Sequence, residues 1–345
     1  MDGVPFAFYE HLTEIQTMRG LSTVRQLSGT YGELAFQALT HSTEFVCTVR
    51  DGTHKVEELR YMASGRWVKT SEEIDAVRKK FVRQVWIFLK DAKTESVSRE
   101  IIRRFPYAHG YNFVLESSSI NEAWVNLAFS LRRLGSVSIR KELDDNALRL
   151  FQKLVTGQKL WTLTMRPGAC EGGTLEMAKS LLCQEQFQKL RIRYAEPNGA
   201  RRTTPVRELL DFWSANSDKL RGKRLIMIGD CKDASAQLEE FLLKESPSTV
   251  KELNVSGLQK AMEVCSKEEC DLIARNYFHN HIVFWKPSCV YKYEEGEGEE
   301  ERRLYISFDC HKEGQMFEQC RRASHEGHKD LFLMRDTTSL YVMFA

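Results

Sequence analysis

Apolar residues recur through the middle of the chain in the pattern L-x-x-L-x-L, and a stretch with helical periodicity follows most copies. Weaker copies lie at Phe113/Leu115 and Leu225/Met227. The full copies are Val82/Val85/Ile87, Leu134/Val137/Ile139, Leu160/Leu163/Met165, Phe187/Leu190/Ile192 and Val250/Leu253/Val255. This alternation predicts an α/β protein in which short strands and helices follow one another.

The spacing of these copies is close to constant, since Leu134 to Leu160 spans 26 residues and Leu160 to Phe187 spans 27. A step of this length is typical of leucine-rich repeats. One strand and one helix cannot bury an apolar face alone, so we expect the steps to stack into an irregular βα solenoid. An ordinary α/β domain with a parallel sheet shows the same alternation and stays open as the alternative. The Asn that usually follows the motif is absent, so other contacts must hold the turns.

The first 45 or so residues have a different pattern, that of short amphipathic helices. Pro5 suits a first helical turn, and Phe6, Phe8, Tyr9, Leu12 and Ile15 follow at near-helical spacing. Gly20 is expected to break this helix, and Leu21, Val24, Leu27 and Tyr31 indicate a second one. The two helices carry more apolar surface than they can bury against each other. They need another surface to pack against.

Local signals predict where several elements begin. Thr70 and Glu73, and Ser119 and Glu122, form capping-box patterns. Asp144 or Asp145 is expected to cap the next helix, and Thr204 to cap a helix with Pro205 in its first turn. Residues 82–89 and 224–228 are predicted strands.

Beyond residue 260 the pattern changes to one or two helices followed by strands CVYKY and RLYISF around the acidic loop 294–301. LFLMR and LYVMF predict a last hairpin. We therefore expect three parts: residues 1–45, 46–260 and 261–345, the last a small α/β cap on the end of the array.

Composition adds few constraints. Hydrophobic residues make up 42% and charged residues 28% of the 345 residues, and the formal net charge is +2. This balance favours neither a nucleic acid nor a membrane as partner. The nine cysteines have irregular spacing, which predicts reduced thiols in the cytoplasm or nucleus.

Candidate chemistry is sparse. The chain has no phosphate-binding loop, nucleophile elbow or H-E-x-x-H motif. Two Cys/His sets are spaced unlike structural zinc sites, so we expect no metal and no cofactor. They are Cys265/Cys270/His279/His281 and Cys310/Cys320/His325/His328. The sequence therefore predicts a protein that is not an enzyme.

Residues 4–40 resemble an F-box. Val4-Pro5 stands where that motif has Leu-Pro, and Phe8, Tyr9 and Leu12 follow at its apolar positions. Residues 27–31, Leu-Ser-Gly-Thr-Tyr, keep the spacing of its Val-Ser-x-x-Trp element. The repeats behind it are similar to the leucine-rich substrate domains that often follow an F-box. Residues 286–308 resemble part of the F-box-associated families expanded in nematodes.

This resemblance implies a receptor that links a protein substrate to a cullin ubiquitin ligase through a Skp-type adaptor. The residues implied in adaptor binding are Val4, Pro5, Phe6, Phe8, Leu12, Leu27 and Tyr31. Side chains that point outward from the strands are predicted to hold the unknown substrate on the concave face of the array. They are Ser138, Trp161, Thr162, Thr164, Arg191 and Arg193.

Two other classes remain open. The first is a stand-alone repeat scaffold, whose N-terminal helices serve only as a lid and bury Phe6 and Phe8. The second is an RNA- or phosphate-contacting protein that uses Arg191, Arg193, Arg201 and Arg202. A basic concave face would favour this second class.

Overall fold

The computed structural model describes residues 4–91, 95–194, 204–243, 255–277, 283–296, 301–311 and 320–345. The predicted α/β class is confirmed, since strands and helices alternate and the strands build a large sheet. The chain divides into two compact units. Unit 1 comprises Met1–Ser138 and Leu143–Lys159, and unit 2 comprises Ile139–Glu142 and Leu160–Ala345. The predicted boundaries after residues 45 and 260 stay predictions.

Unit 1 begins with three helices and a hairpin, and then alternates strands and helices. Its elements are α1 (Phe6–Ile15), α2 (Met18–Val24), α3 (Thr30–His41), β1 (Thr43–Arg50), β2 (Thr53–Tyr61), β3 (Trp67–Val68), α4 (Ser71–Ala76), β4 (Val82–Leu89), α5 (Ser96–Arg104), β5 (Gly110–Leu115), α6 (Glu122–Ser130), β6 (Leu134–Ile139) and α7 (Asp145–Thr156). The strand order is β3-β2-β1-β4-β5-β6. Strands β1, β4 and β5 pair in parallel, whereas β2 and β3 are antiparallel additions at the edge.

Unit 2 continues the alternation and ends in antiparallel strands. Its elements are β7 (Thr162–Met165), α8 (Gly172–Leu182), β8 (Lys189–Arg193), α9 (Val206–Ala215), α10 (Ser217–Leu220), β9 (Arg224–Ile228), α11 (Lys232–Leu243), α12 (Val255–Ala261), β10 (Glu263–Val264), α13 (Lys267–Asn276), β11 (Tyr291–Glu295), β12 (Arg302–Phe308) and β13 (Ser339–Phe344). The strand order is β7-β8-β9-β13-β12-β11-β10, with β7, β8 and β9 parallel and the remaining pairs antiparallel.

The repeated apolar positions form the core. Every member of the predicted copies up to Met227 is buried. Parallel register aligns them in rows, such as Cys47, Ile87 and Phe113 in unit 1 and Leu163, Leu190 and Leu225 in unit 2. The copy at 250–255 is different, because Val255 begins helix α12 and residues 250 and 253 lie outside the described residues.

On the opposite side of the sheet in unit 1, a buried amide links three strands. Asn112 Nδ2 donates to Gln84 Oε1 at 2.9 Å, and Asn112 Oδ1 accepts from the backbone and hydroxyl of Ser136 at 2.9 and 3.0 Å. Gly135 permits this contact, since a Cβ there would lie 2.4 Å from Asn112 Oδ1. The amide therefore satisfies polar groups of β4, β5 and β6 at once.

Several predicted starts are confirmed. Thr70 and Asp144 cap α4 and α7 by accepting from backbone N–H groups three residues on, and strands 82–89 and 224–228 have the predicted bounds.

Others are wrong. Asn121, not Ser119, caps α6. Thr204 makes no cap, because its hydroxyl donates to Asp233 at 2.8 Å. LFLM is a short 3-10 helix, so no final hairpin forms; β13 pairs with β12 and β9 instead.

The N-terminal prediction also needs correction. Gly20 lies inside α2, and the predicted second helix is divided between α2 and α3, with Leu27 in the turn between them and Tyr31 in α3. The β1–β2 hairpin was not predicted, although Asp51-Gly52 is a strong signal for it. Both residues have positive φ, 52° and 69°, as a two-residue hairpin turn requires.

A buried arginine holds α1 to the strands of unit 1. Arg83, on β4, is 3% exposed and donates to the carbonyls of Thr13 at 3.0 Å and Glu14 at 2.5 Å. These carbonyls lie in the last turn of α1, where the helix itself supplies no donors. His109 Nε2 lies 2.7 Å from the same guanidinium. The pKa of His109 is lowered by burial and by the positive charge of Arg83, so the neutral imidazole fits this site.

None of the helices described here is both long enough and apolar enough to span a bilayer.

Replacing Arg83 with Met should release α1. The two carbonyls would lose their donors, and each buried unsatisfied group costs about 1–3 kcal/mol. We expect amide hydrogen exchange in α1 to accelerate by roughly tenfold or more, at about 1.4 kcal/mol per factor of ten. Arg103→Met, at an exposed position of α5, is the matched control. Unchanged exchange in α1 of the Arg83 variant would show that the contact does not hold the helix.

Acid should weaken the same contact. The unfolded chain takes up a proton on His109 near pH 6.5, whereas the folded chain resists it until the pH is lower. The free energy of unfolding of unit 1 should therefore fall as the pH drops below about 6.5. Urea unfolding at pH 7.5, 6.5 and 5.5 measures this. His109→Gln should reduce the dependence of the unfolding free energy on pH. The same pH dependence in that variant would exclude His109 as its source.

Candidate functional site

Helix α1 leaves most of its apolar side chains in solvent. Phe6, Phe8 and Ile15 are 57%, 51% and 58% exposed, and Thr13 is the one fully buried residue of the helix. Val4 and Pro5, just before the helix, are exposed as well. Contiguous apolar exposure of this kind marks a surface that binds another molecule.

The exposed residues have a helical order. Exposed Phe8 and Ile15 and half-buried Leu12 are separated by three or four positions, so they lie along one face of α1, which we call the apolar stripe. Phe6, Tyr9 and Thr13 follow the opposite face, on which Thr13 is buried and Tyr9 half-buried, whereas Phe6 in the first turn is exposed. The helix therefore packs through one side and presents the apolar stripe on the other.

The other predicted adaptor-binding residues belong to the next helices. Tyr31, on α3, contacts Tyr9 with ring centroids 5.6 Å apart, which ties α3 to α1. Leu27 is exposed in the α2–α3 turn, and its carbonyl lies so close to Gly32 that a Cβ there would be 1.9 Å away. Leu21, Ala35, Ala38 and Leu39 form a small core for α2 and α3.

A second candidate surface is the polar side of β7, β8 and β9 in unit 2. Leu163, Leu190 and Leu225 are buried on one side, so the residues between them lie on the other. Register places Thr162 beside Lys189 and Thr164 beside Arg191, and Lys189 beside Arg224. We call Lys189, Arg191, Arg193 and Arg224, with the two threonines, the cationic face.

No carboxylate neutralises β8 within the part of the chain that the structure describes: Lys189, Arg191 and Arg193 form no ion pair there. Arg191 Nε is buried without a hydrogen-bond partner. Burial, together with the charges of Arg191 and Arg224, lowers the pKa of Lys189 to about 8. Burial and the charge of Arg193 lower the pKa of Arg191 too.

The cationic face ends at β9, where an apolar cluster covers the sheet. Ile226, next to Arg191 in register, packs in a core with Ile273 of α13 and with Tyr341 and Met343 of β13. Arg224 is 5% exposed and donates to the carbonyl of Tyr277 just beyond α13. The open part of the face is therefore β7 and β8, with Arg224 at its covered edge.

Not all predicted substrate-binding residues share this face. Thr162, Thr164, Arg191 and Arg193 do. Trp161 is exposed and lies just before β7, two positions from the buried Leu163. Because side chains alternate along a strand, Trp161 is assigned to the side of Leu163, opposite the cationic face. Ser138 belongs to unit 1, on β6, where it shares a side with Ser136, the partner of Asn112. Arg201 and Arg202 lie outside the described residues.

Sequence reasoning missed Lys189 and Arg224. The two-residue period selects Lys189 as readily as Arg191 and Arg193, and that signal was present in the strand itself. Arg224 is different, because only the pairing of β8 with β9 brings it beside Lys189.

Other chemistry is limited. All nine cysteines are free thiols, and burial raises the pKa of Cys47, Cys170 and Cys231 to about 12, which makes them poor nucleophiles. Within the described ranges, no three His, Cys, Asp or Glu side chains are grouped to hold a metal ion. His279 and His281 lie outside those ranges.

A cleft with a cavity volume of about 10 Å³ in unit 1 lies at the carboxyl ends of β4 and β5, between Leu89, Leu115 and Trp124. It is smaller than the roughly 300–1,000 Å³ of most ligand pockets. Asp91 on its wall already accepts from the backbone N–H of Asp51 at 2.6 Å. The two surfaces described above are therefore the stronger candidates.

Models of protein families, curated proteins and solved structures give no match to this chain.

The low pKa of Lys189 should show in its chemistry. At pH 8 a larger fraction of its amine is neutral than at an ordinary lysine with a pKa of about 10.4, so a limiting amount of acetic anhydride should acetylate Lys189 first. Peptide mass spectrometry measures the rate at each site, and exposed Lys232 is the internal reference. Arg224→Gln should slow the reaction by removing a positive neighbour. Equal rates at Lys189 and Lys232 would contradict the proposed electrostatics.

Proposed function

We propose that the protein is a non-catalytic receptor that links a target protein to a Skp-cullin ubiquitin ligase, in the cytoplasm or nucleus. Helices α1–α3 bind the adaptor, and the polar side of the βα steps holds the target. Ubiquitin transfer is the work of a separate enzyme.

The exposure of the apolar stripe carries this proposal. A helix that served only as a lid would turn its apolar residues toward the array and bury them. Helix α1 instead makes polar contacts to β4 and the segment before it, through Arg83 and through a 3.3 Å ion pair between Glu10 and Lys80. Phe8 and Ile15 remain free for a partner. Buried aromatic and aliphatic anchors of this kind typically dominate the affinity of an interface.

The strand order supports a repeat array within each unit. The order β1-β4-β5-β6 in unit 1 and β7-β8-β9 in unit 2 follows the chain, and the reversed edge β3-β2-β1 of unit 1 is made of antiparallel strands rather than of parallel crossovers. A doubly wound α/β sheet reverses its order partway, whereas stacked repeats add each strand beside the previous one. We infer an irregular leucine-rich-repeat-like array closed by the antiparallel strands β10–β13. Such arrays bind proteins through the exposed side of their strands.

Co-purification with a Skp-type adaptor tests the proposal. The wild-type chain should form a one-to-one complex, and Phe8→Ser/Ile15→Ser should lose it, because these exposed side chains of the apolar stripe would be the anchors. Truncating an anchor typically costs about 2 kcal/mol or more, or over tenfold in affinity each. Tyr107→Ser is the matched control, since Tyr107 is 58% exposed in unit 1 but lies outside α1–α3.

The absence of any complex from a folded, monodisperse wild-type chain would refute the receptor. It would leave a stand-alone binding scaffold. Equal binding by the double variant would place the adaptor contact elsewhere on the chain.

A further inference from the structure

Lys189 and Arg191 of the cationic face differ from two other cations of unit 2, Lys223 and Arg335, because their side chains have no hydrogen-bond acceptor among the described residues. Lys223 Nζ donates to the carbonyls of Gln184 and Glu185 at 2.7 and 2.8 Å. Arg335 Nε donates to both carboxylate oxygens of the fully buried Glu239 at 3.0 and 3.1 Å. The fold thus supplies partners where a buried cation is structural.

On β8 such partners are missing from the described residues. Lys189 and Arg191 are only partly exposed, form no ion pair, and are surrounded by further positive charge from Arg193 and Arg224. Placing like charges close together and partly removing them from water costs folding free energy, so another favourable interaction must offset that cost. An anion bound at this place offers that gain.

The spacing of the groups indicates what kind of anion fits. Side chains at alternate positions of β8 are about 6.6 Å apart, and the threonines of β7 run beside them at about 4.8 Å. Arg191 and Arg193 present planar forks, which match phosphate oxygens. Thr162 and Thr164 add hydroxyl donors next to Lys189 and Arg191.

We propose that the cationic face binds a phosphate-type dianion carried by a phosphorylated segment of the target protein. The proposal rests on the proposed function, since it gives the chemistry of the protein that the array holds. Binding of the phosphate group does not require the adaptor. The residues of the cationic face all lie in unit 2, whereas α1–α3 lie in unit 1.

A peptide fits the face better than RNA does. Single-stranded nucleic acid uses an extended basic track with aromatic side chains on which bases stack. Among the described residues the positive charge of this face lies on β8 and the edge of β9, and Ile226 beside it is covered by α13. The strand positions of this face in β7 and β8 hold threonine, lysine and arginine but no aromatic residue.

The first experiment uses inorganic pyrophosphate as the probe. With saturating pyrophosphate, acetylation of Lys189 at pH 8 should slow at least fivefold, while that of Lys232 should not change. Protection must be absent in Arg191→Gln, and it must remain in Arg221→Gln, which removes an exposed positive charge of unit 2 that does not belong to the cationic face. Equal rates at Lys189 with and without pyrophosphate in the wild-type chain would overturn the proposal.

The second experiment identifies the source of the anion. A degenerate peptide library with one fixed phosphoserine, and the same library after phosphatase treatment, are passed over the immobilised full chain. Retention should fall at least tenfold after dephosphorylation and in Arg193→Gln, an exposed position where folding is not at risk. Equal retention of the two libraries, or tighter binding of an oligouridine than of the phosphopeptides, would overturn the assignment to a phosphoprotein.

The two proposals can fail separately. A wild-type chain that binds the phosphopeptides but no adaptor would refute the ligase receptor alone. A chain that binds the adaptor but treats both libraries alike would refute the phosphate site alone.

Discussion

Burial of every second strand residue is the constraint on which the rest of this protein depends. Within each unit, parallel register aligns apolar side chains in rows, such as Leu163, Leu190 and Leu225. A strand has a period of two, so burying this set turns the intervening residues to the other side of the sheet. Arg191 lies on the polar side because Leu190 and Ile192 are in the core. The candidate binding face is thus a consequence of core packing.

The buried and half-buried cations of this molecule differ in whether the described residues supply an acceptor. Arg83 in unit 1 and Lys223 in unit 2 each donate to two backbone carbonyls that lack helical or strand partners. There the charge satisfies the backbone and fixes an element in place. Among the described residues Lys189 and Arg191 have no such acceptors, and this difference makes them candidates for binding rather than for structure.

The N-terminal helices show how a weakly packed element can still be held in a defined position. The core of α2 and α3 consists of Leu21, Ala35, Ala38 and Leu39, and α1 adds only Thr13 to the buried residues. Polar contacts from Arg83 and Lys80 then locate α1 without covering its apolar stripe. An element held in this way leaves Phe8 and Ile15 of its apolar stripe exposed to solvent.

By itself, the sequence determined the α/β class, the positions of the core and the alternation that separates core from face, because local periodicity encodes all three. It also contained signals that were missed, such as Asp51-Gly52 for the β1–β2 hairpin and Lys189 on β8. Only the tertiary structure decided that Arg224 lies beside Lys189, that α13 covers Ile226, and that Arg83 reaches the end of α1. These depend on contacts between residues distant in the chain. Whether a charge is compensated is likewise settled by its neighbours in space, which residue type and spacing alone do not specify.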